Sequence, residues 1–449
     1  MSFRDRRPLI LSLFYGAPGH HVAAWRHPDA PAAGANGFAL AKQMALEAER
    51  NFYDLFFLAD ILYVHDRSSG RRALGGQTEP ITLLSALAAV TDRIGLAGTI
   101  STTYSQPFTV ARALAALDHL SGGRAAWNAV TSLNHHEARN FGVDRHPDHD
   151  RRYERARDYV DVVRKYWDSW EDEAIIGDKA AGAAFDPARI HAIDHHSEFY
   201  DVAGPGISAR PPQGHPVIIQ AGSSDAGQDL AAATADAVFT AQNDLAGAQD
   251  FYRKLKARVA AYGRDPDTVA ILPGMLPIVG RTEAEAQAKF QQLQDLIDPA
   301  IGLAMLSQIL GEVDLGGVDL DKPLPRLDVK TGSLSRLALV TGIGEDNSLT
   351  VRELYTRIAG GRGHFTVVGS DEQVAERLVE WFVGEGADGF NVMPAVAPGS
   401  FGEFNAHVLP ILRERGFARD RYEGRTLREH LGLERPANVH LAEPVRTVA

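Results

Sequence analysis

Short apolar runs along the chain alternate with stretches whose apolar residues recur at three- and four-residue spacing. That is the pattern of β-strand followed by amphipathic helix, repeated as expected for βα units around a parallel sheet. Strands are predicted over 9–15, 55–60, 94–101, 124–132, 217–223, 237–242, 269–280 and 389–394. In the first helix Phe38, Ala41, Ala45, Ala48 and Phe52 would face the sheet. Further helices are predicted over about 79–91, 107–120, 151–170, 225–235, 246–262, 282–296 and 401–415. Eight strands in alternation with helices predict an α/β protein, a TIM (β/α)8 barrel forming one domain over 1–449. Two stretches break the rhythm, 171–216 and 297–370. Both are expected as insertions in loops at the C-terminal face, where such loops can roof an active site. The tail from about 416 reads as an irregular wrap.

Composition changes this picture little. The chain has 449 residues, 45% hydrophobic and 23% charged, enough to bury a large core. Its formal net charge of −12 argues against nucleic acid or an anionic membrane as the main partner. There is no cysteine, so thiolate metal sites and a Cys nucleophile are excluded, and a cytoplasmic location is expected. Arg4, Arg6 and Arg7 before the run Leu9–Tyr15 superficially resemble a signal peptide. No small-residue cleavage site follows, so the run is read as a buried first strand.

Candidate chemistry gathers where a barrel would place it, at the carboxyl ends of strands. Strand two ends in Asp60, strand three in Thr99, Ser101 and Thr102, and strand four carries Asn128, Thr131 and Ser132. Polar residues closing apolar strands need partners, either a helix to cap or a ligand to bind. The turn Gln220–Ala221–Gly222–Ser223–Ser224 leaves a strand and opens a helix. Free N–H groups and the positive helix end therefore converge on a spot where Gly222 lets an anion approach. The plainer reading is that Ser224 or Asp225 caps the helix. Histidine doublets at 20–21, 135–136 and 195–196 suggest metal, but no zincin spacing and no His-x-His after strand one occur. No metal site is expected. Neither a Gly-x-Ser-x-Gly elbow nor a strand–GxGxxG–helix unit is present.

Longer stretches carry a resemblance. FFLAD (56–60), GLAGTISTTYSQPF (95–108), LSGGRAAWNAVTS (120–132), HDRRYERARDYV (149–160), RPPQGHPVIIQAGSS (210–224), GRGHFTVVGSDEQVAERL (361–378), ADGFNVMP (387–394) and YEGRTLREHLGL (422–433) occur in order. Together they resemble the bacterial luciferase-like flavin monooxygenases, in the group of nitrilotriacetate monooxygenase component A. That group includes the EDTA, dibenzothiophene-sulfone, dimethyl-sulfide and pristinamycin-synthesis monooxygenases.

The resemblance implies FMN as cofactor, delivered as FMNH2 by a separate NAD(P)H:flavin reductase. It implies O2 as co-substrate, with a flavin peroxide inserting one oxygen atom into a small organic molecule. It implies flavin-ring and ribityl contacts at Asp60 and Thr99 with Asn128 on the same side, and phosphate contacts at His149, Tyr153, Gly222, Ser223 and Ser224. His20 or His21, just past strand one, would be the acid–base group. Trp25 and Phe56 would wall the substrate pocket. Residues 297–370 would form a lid, with Gly316, Gly317 and Gly332 as its pliant points. A homodimer or homotetramer is expected on the same ground. The alternatives are a deazaflavin-dependent hydride-transfer enzyme of the same superfamily and a metal-dependent barrel hydrolase.

Overall fold

The computed structural model describes residues 7–32, 37–64, 70–71, 78–132, 135–310, 313–325, 349–361 and 363–441. Gly332 lies outside them. Nine parallel strands run through one sheet: β1 (Ile10–Tyr15), β2 (Leu55–Leu58), β3 (Gly95–Ser101), β4 (Ala125–Val130), β5 (Val217–Gln220), β6 (Ala237–Thr240), β7 (Ala270–Gly280), β8 (Phe365–Ser370) and β9 (Gly389–Val392). Each of β1 to β6 pairs with the next, β6 pairs with β7, β7 with β9, and β9 with β1. Eight strands thus close a ring, the TIM barrel expected.

The ninth strand was not expected. Among the described residues β8 pairs with the outer half of β7 alone, Met275–Gly280, which extends past the ring. β7 is long enough to serve both, its first residues pairing with β6 and its last with β8. Besides a short helix at His135–Asn140, the helices among the described residues are α1 (Phe38–Arg50), α2 (Pro80–Ala88), α3 (Pro107–Ser121), α4 (His149–Asp168), α5 (Asp225–Thr234), α6 (Leu245–Ala261), α7 (Glu283–Asp295), α8 (Pro299–Ile309), α9 (Val351–Gly361), α10 (Asp371–Val383), α11 (Gly399–Glu414) and α12 (Leu427–Leu431). In α1 the buried stripe is Leu40, Ala41, Met44, Ala45 and Ala48. Phe38 sits exposed in its first turn and Phe52 lies past its end, so the helix is shorter than its apolar pattern.

Strand alternation sorts side chains into two layers. Ile10, Phe14, Leu55, Phe57, Ala97, Ala126, Val217, Ile219, Ala237, Phe239, Ala270 and Leu272 fill the barrel interior. Leu11, Leu13, Tyr15, Phe56 and Leu96 point outward into the layer under the helices. The tail is more ordered than a wrap: Leu427 and Leu431 of α12 plug the amino-terminal end of the interior.

That end is pinned by aspartates standing just before strands. Asp54, Asp236 and Asp388 each accept a hydrogen bond at 2.9 Å, from the backbone N–H of Leu11, Ile218 and Ile271 on neighbouring strands. Each also meets a cation from another element: Arg419 at 2.7 Å, Arg428 at 2.9 Å and Lys256 at 3.3 Å respectively. Burial works against ionised Asp236. The Arg428 guanidinium, the Ile218 N–H and Arg164 outweigh it and hold its carboxyl below the usual range.

The two long insertions lie differently. Residues 171–216 follow a helix and precede a strand, so they leave and rejoin the barrel at its amino-terminal end. There Arg210 pairs with Asp168 at 2.9 Å and Gln213 donates to Asp118 at 2.6 Å. The segment climbs along α4 in the hairpin His195–Val202, where Ser197 bonds Asp158 and Arg151 pairs with Glu198. By contrast α8 and α9 form their own apolar cluster with Val22 and Ala23, just past β1, and so lie at the carboxyl end.

Candidate functional site

The carboxyl ends of the strands form a polar mouth over an aromatic floor. Phe14, Phe57 and Phe239 meet inside the barrel with ring centroids 5.0 to 5.7 Å apart. On β3 and β4, which run in register, Asn128 donates to Thr99 Oγ1 at 2.8 Å. Among the described residues Asn128 Oδ1 is buried without a hydrogen-bond partner, as are Ser12 Oγ and Asn391 Oδ1 on the interior-facing positions of β1 and β9. Such atoms cost about 1–3 kcal/mol each unless something donates to them. Ser12 and Asn391 escaped the sequence reading, although each is a single polar residue inside an otherwise apolar strand.

Asp60 stands at the rim of β2. Burial, with Glu79 and Glu137 adding repulsion, pushes its carboxyl up to about 6 despite the bond it accepts from the Ile61 N–H at 2.9 Å. Beside it lies a network whose members were not assigned roles from the sequence. Ser132, with a left-handed φ of 59°, bonds Ser101 at 2.9 Å, and its carbonyl accepts from Arg152. Tyr104 bonds His146 at 2.5 Å, and His146 contacts the same Ser132 carbonyl at 3.3 Å. Burial raises the carboxyl of Glu137, which Ser132 and Arg152 partly offset. A backbone strained by about 1–3 kcal/mol persists only where neighbours over-determine it, and here they do.

The turn after β5 is brought together with α4. Gly222 lies so close to Gly227 of α5 that a Cβ on Gly222 would fall 2.9 Å from the Gly227 Cα. Tyr153 sets its hydroxyl over both glycines, 3.5 Å and 3.1 Å from where their Cβ atoms would be. Gly227, five residues on, is the partner the sequence reading missed. His149 stands one turn before Tyr153 with rings 4.9 Å apart, half exposed and bonded to Asp150 at 2.8 Å. Ser224 is the N-cap of α5, its Oγ accepting from Gly227 N–H at 3.1 Å. Its own O–H remains able to donate. Ser223 is exposed, and its carbonyl accepts from Gln228 at 2.9 Å, which steadies the turn.

The remaining candidates separate. His20 and His21 are buried at the mouth. His20 Nε2 contacts the Phe14 carbonyl at 2.7 Å with its ring 4.4 Å from Phe14. His21 Nδ1 accepts from the Ala23 N–H at 3.2 Å, and its Nε2 is 3.3 Å from Gln294. Trp25 is partly exposed on the turn Ala24–Arg26 beyond them. Phe56 is placed away from the mouth: it faces outward, fully buried and stacked on Tyr15 at 5.1 Å, while its neighbour Phe57 takes the inward position. Among the described residues one trio has metal-ligand character, Asp158, Asp161 and His195, with atoms within 4.8 Å of one another. Lys165 already supplies its cation, 2.7 Å from Asp161 and 2.9 Å from His195. No helix among the described residues is long and apolar enough to cross a membrane.

A closed parallel barrel with buried polar side chains gathered at its carboxyl end has the architecture of the TIM-barrel enzymes. Residues 18–389 match the family described as luciferase-like monooxygenase, and the chain belongs to that family. It is 48% identical over 435 residues to N-acetyl-S-(2-succino)cysteine monooxygenase of Bacillus subtilis, covering 96% of this chain and 98% of that protein. It is 44% identical to nitrilotriacetate monooxygenase component A of Aminobacter aminovorans, with the same two coverages. Among solved structures it superposes with a TM-score of 0.86 on DmoA from Hyphomicrobium sulfonivorans, at 35% identity, over 95% of this chain and 92% of that one. The resemblance drawn from the motifs is thereby established, and the protein is an oxidoreductase.

Proposed function

We propose that the chain is the oxygenating component of a two-component monooxygenase. It takes FMNH2 from a separate NAD(P)H:flavin reductase and uses O2 to place one oxygen atom on a small organic substrate. The observation that carries this reading is the cradle of Tyr153, Gly222 and Gly227 at the amino end of α5. A close glycine pair, a helix N-terminus and neutral hydroxyl donors suit a phosphate dianion. A solved relative, a riboflavin lyase holding modified FMN and riboflavin, superposes with a TM-score of 0.83 at 32% identity over 96% of this chain and 97% of that one. The relative named component A points the same way for the reductase.

Reduced FMN supplies the two electrons for the net reaction, substrate + O2 + FMNH2 giving oxygenated substrate + FMN + H2O. Tyr153, Ser223, Ser224 and His149 would hold the phosphate. Asn128 Oδ1, with Thr99 beside it, would accept a hydrogen bond from the bound flavin. Asp60, half protonated near pH 6, donates or accepts at the rim. The apolar Phe14–Phe57–Phe239 floor would help exclude water from the mouth once the flavin is bound. His20, with one nitrogen on a backbone carbonyl, is held in a fixed orientation to move a proton.

The test supplies FMNH2 through an unrelated reductase and offers thioethers bearing carboxylates, aminopolycarboxylates and sulfones under 18O2. Mass spectrometry is expected to find one 18O atom in a product. Stoichiometric bound metal with no FMNH2 binding would overturn the reading.

A further inference from the structure

The motif Gly361–Leu378 carries a histidine that the sequence reading left within the lid region. α9 ends at Gly361, whose carbonyl accepts from the His364 N–H at 2.8 Å, and Gly363 turns the chain with a left-handed φ of 83°. Phe365 then stacks on Trp381 of α10 at 4.2 Å, so alternation sends His364 to the opposite side. Its ring lies nearly parallel to Phe239, centroids 5.3 Å apart and 18° between planes. It also lies against Gly274, on an interior-facing position of β7. A Cβ there would stand 2.5 Å from His364 Nδ1 and 2.9 Å from Met393 Sδ. The missing side chain of Gly274 is what admits the ring.

Phe239 packs edge-on against Phe14 at 5.4 Å, and Phe14 carries the His20 ring at 4.4 Å. Two imidazoles from elements far apart in the chain thus flank one aromatic floor. We propose that His364 is a catalytic residue of this mouth, exchanging a proton with the bound flavin or substrate across the floor from His20. The proposal rests on the monooxygenase reading. In the net reaction the two hydrogens of FMNH2 leave with the second oxygen atom of O2 as water, so no proton is consumed overall. A group that gives a proton at one stage regains it at another, and an imidazole does both near neutral pH.

His364→Phe keeps the stacking and removes the nitrogens, and Gly274→Ala keeps the histidine and displaces its ring. Both are tested as full chains with reductase-supplied FMNH2. Each is expected to bind FMN within about threefold of wild type. Product per FMNH2 consumed is expected to fall about tenfold or more, with H2O2 rising correspondingly. A readout independent of turnover is the His364 ring signal in 1H–13C NMR, assigned by its loss in His364→Phe. It should move when FMN is added to the wild-type protein. A His364 signal indifferent to saturating FMN, or His364→Phe with wild-type coupling, overturns the assignment while leaving the monooxygenase reading intact. Wild-type protein that binds no FMN overturns both.

Discussion

At the amino-terminal end of the barrel Asp54, Asp236 and Asp388 each hold a strand N–H and face a cation from another element. At the carboxyl end Asn128, Asn391 and Glu137 each bury an oxygen with no hydrogen bond among the described residues. Both ends bury polar groups, and among the described residues each keeps atoms without a hydrogen bond, Asp54 Oδ1, Arg419 Nε and His430 Nδ1 at the first. There the tail arginines bring cations to the buried carboxylates of Asp54 and Asp236. At the other end the oxygens of Asn128 and Asn391 face no such cation, and on the proposed reading a ligand completes them. Substitutions should therefore act in opposite ways at the two ends, on stability at the first and on binding at the second.

The largest effect belongs to the closed end. Asp236→Ala strands Arg428 and the Ile218 N–H, and is expected to cost about 3–5 kcal/mol in chemical denaturation, as for one partner removed from a buried ion pair. Because the folded carboxyl is held below its ordinary value, its contribution is present at neutral pH and lost as pH falls through that lowered value. A smaller effect of opposite sign is expected at the mouth. The Asp60 carboxyl is raised to about 6 in the folded protein, so its ionisation opposes folding as pH climbs from near 4 through 6. Asp60→Asn should then raise stability at pH 7 by about 1 kcal/mol, after discounting for the solvent that reaches the group. The gain should vanish below about pH 4, where Asp60 is protonated in both states. If Asp60→Asn destabilises at neutral pH, the mouth is not the strained end and the contrast fails.

Much of this was legible in the residues because the barrel imposes a strict rhythm. Eight helices and eight strands follow directly from apolar spacing, and the polar strand ends Asp60, Thr99 and Asn128 stand where a barrel must put them. β8 and α10 were missed because Phe365–Ser370 adds a ninth strand to the outer half of β7, a pairing that no local period announces. Residues 171–216 lie between a helix and a strand, and a connection of that kind leaves the barrel at its amino-terminal end and not at the C-terminal face expected of it. Phe56 and Phe57 are adjacent aromatics, and only strand parity decides which faces inward. His364 depends on the absence of a side chain at Gly274, ninety residues earlier, a relation carried by the folded packing alone.

The central claim is that the open end holds the phosphate of a mononucleotide at Tyr153, Gly222 and Gly227. It is tested most directly by anaerobic titration of wild-type protein and Tyr153→Phe with FMNH2 and with reduced riboflavin, which differ only in the phosphate. Wild type is expected to prefer FMNH2 by about 100-fold, as two charge-assisted hydrogen bonds would give. Tyr153→Phe should lose about tenfold of that preference by weakening FMNH2 alone, about 1–2 kcal/mol. Equal affinity of wild-type protein for the two flavins would contradict the account.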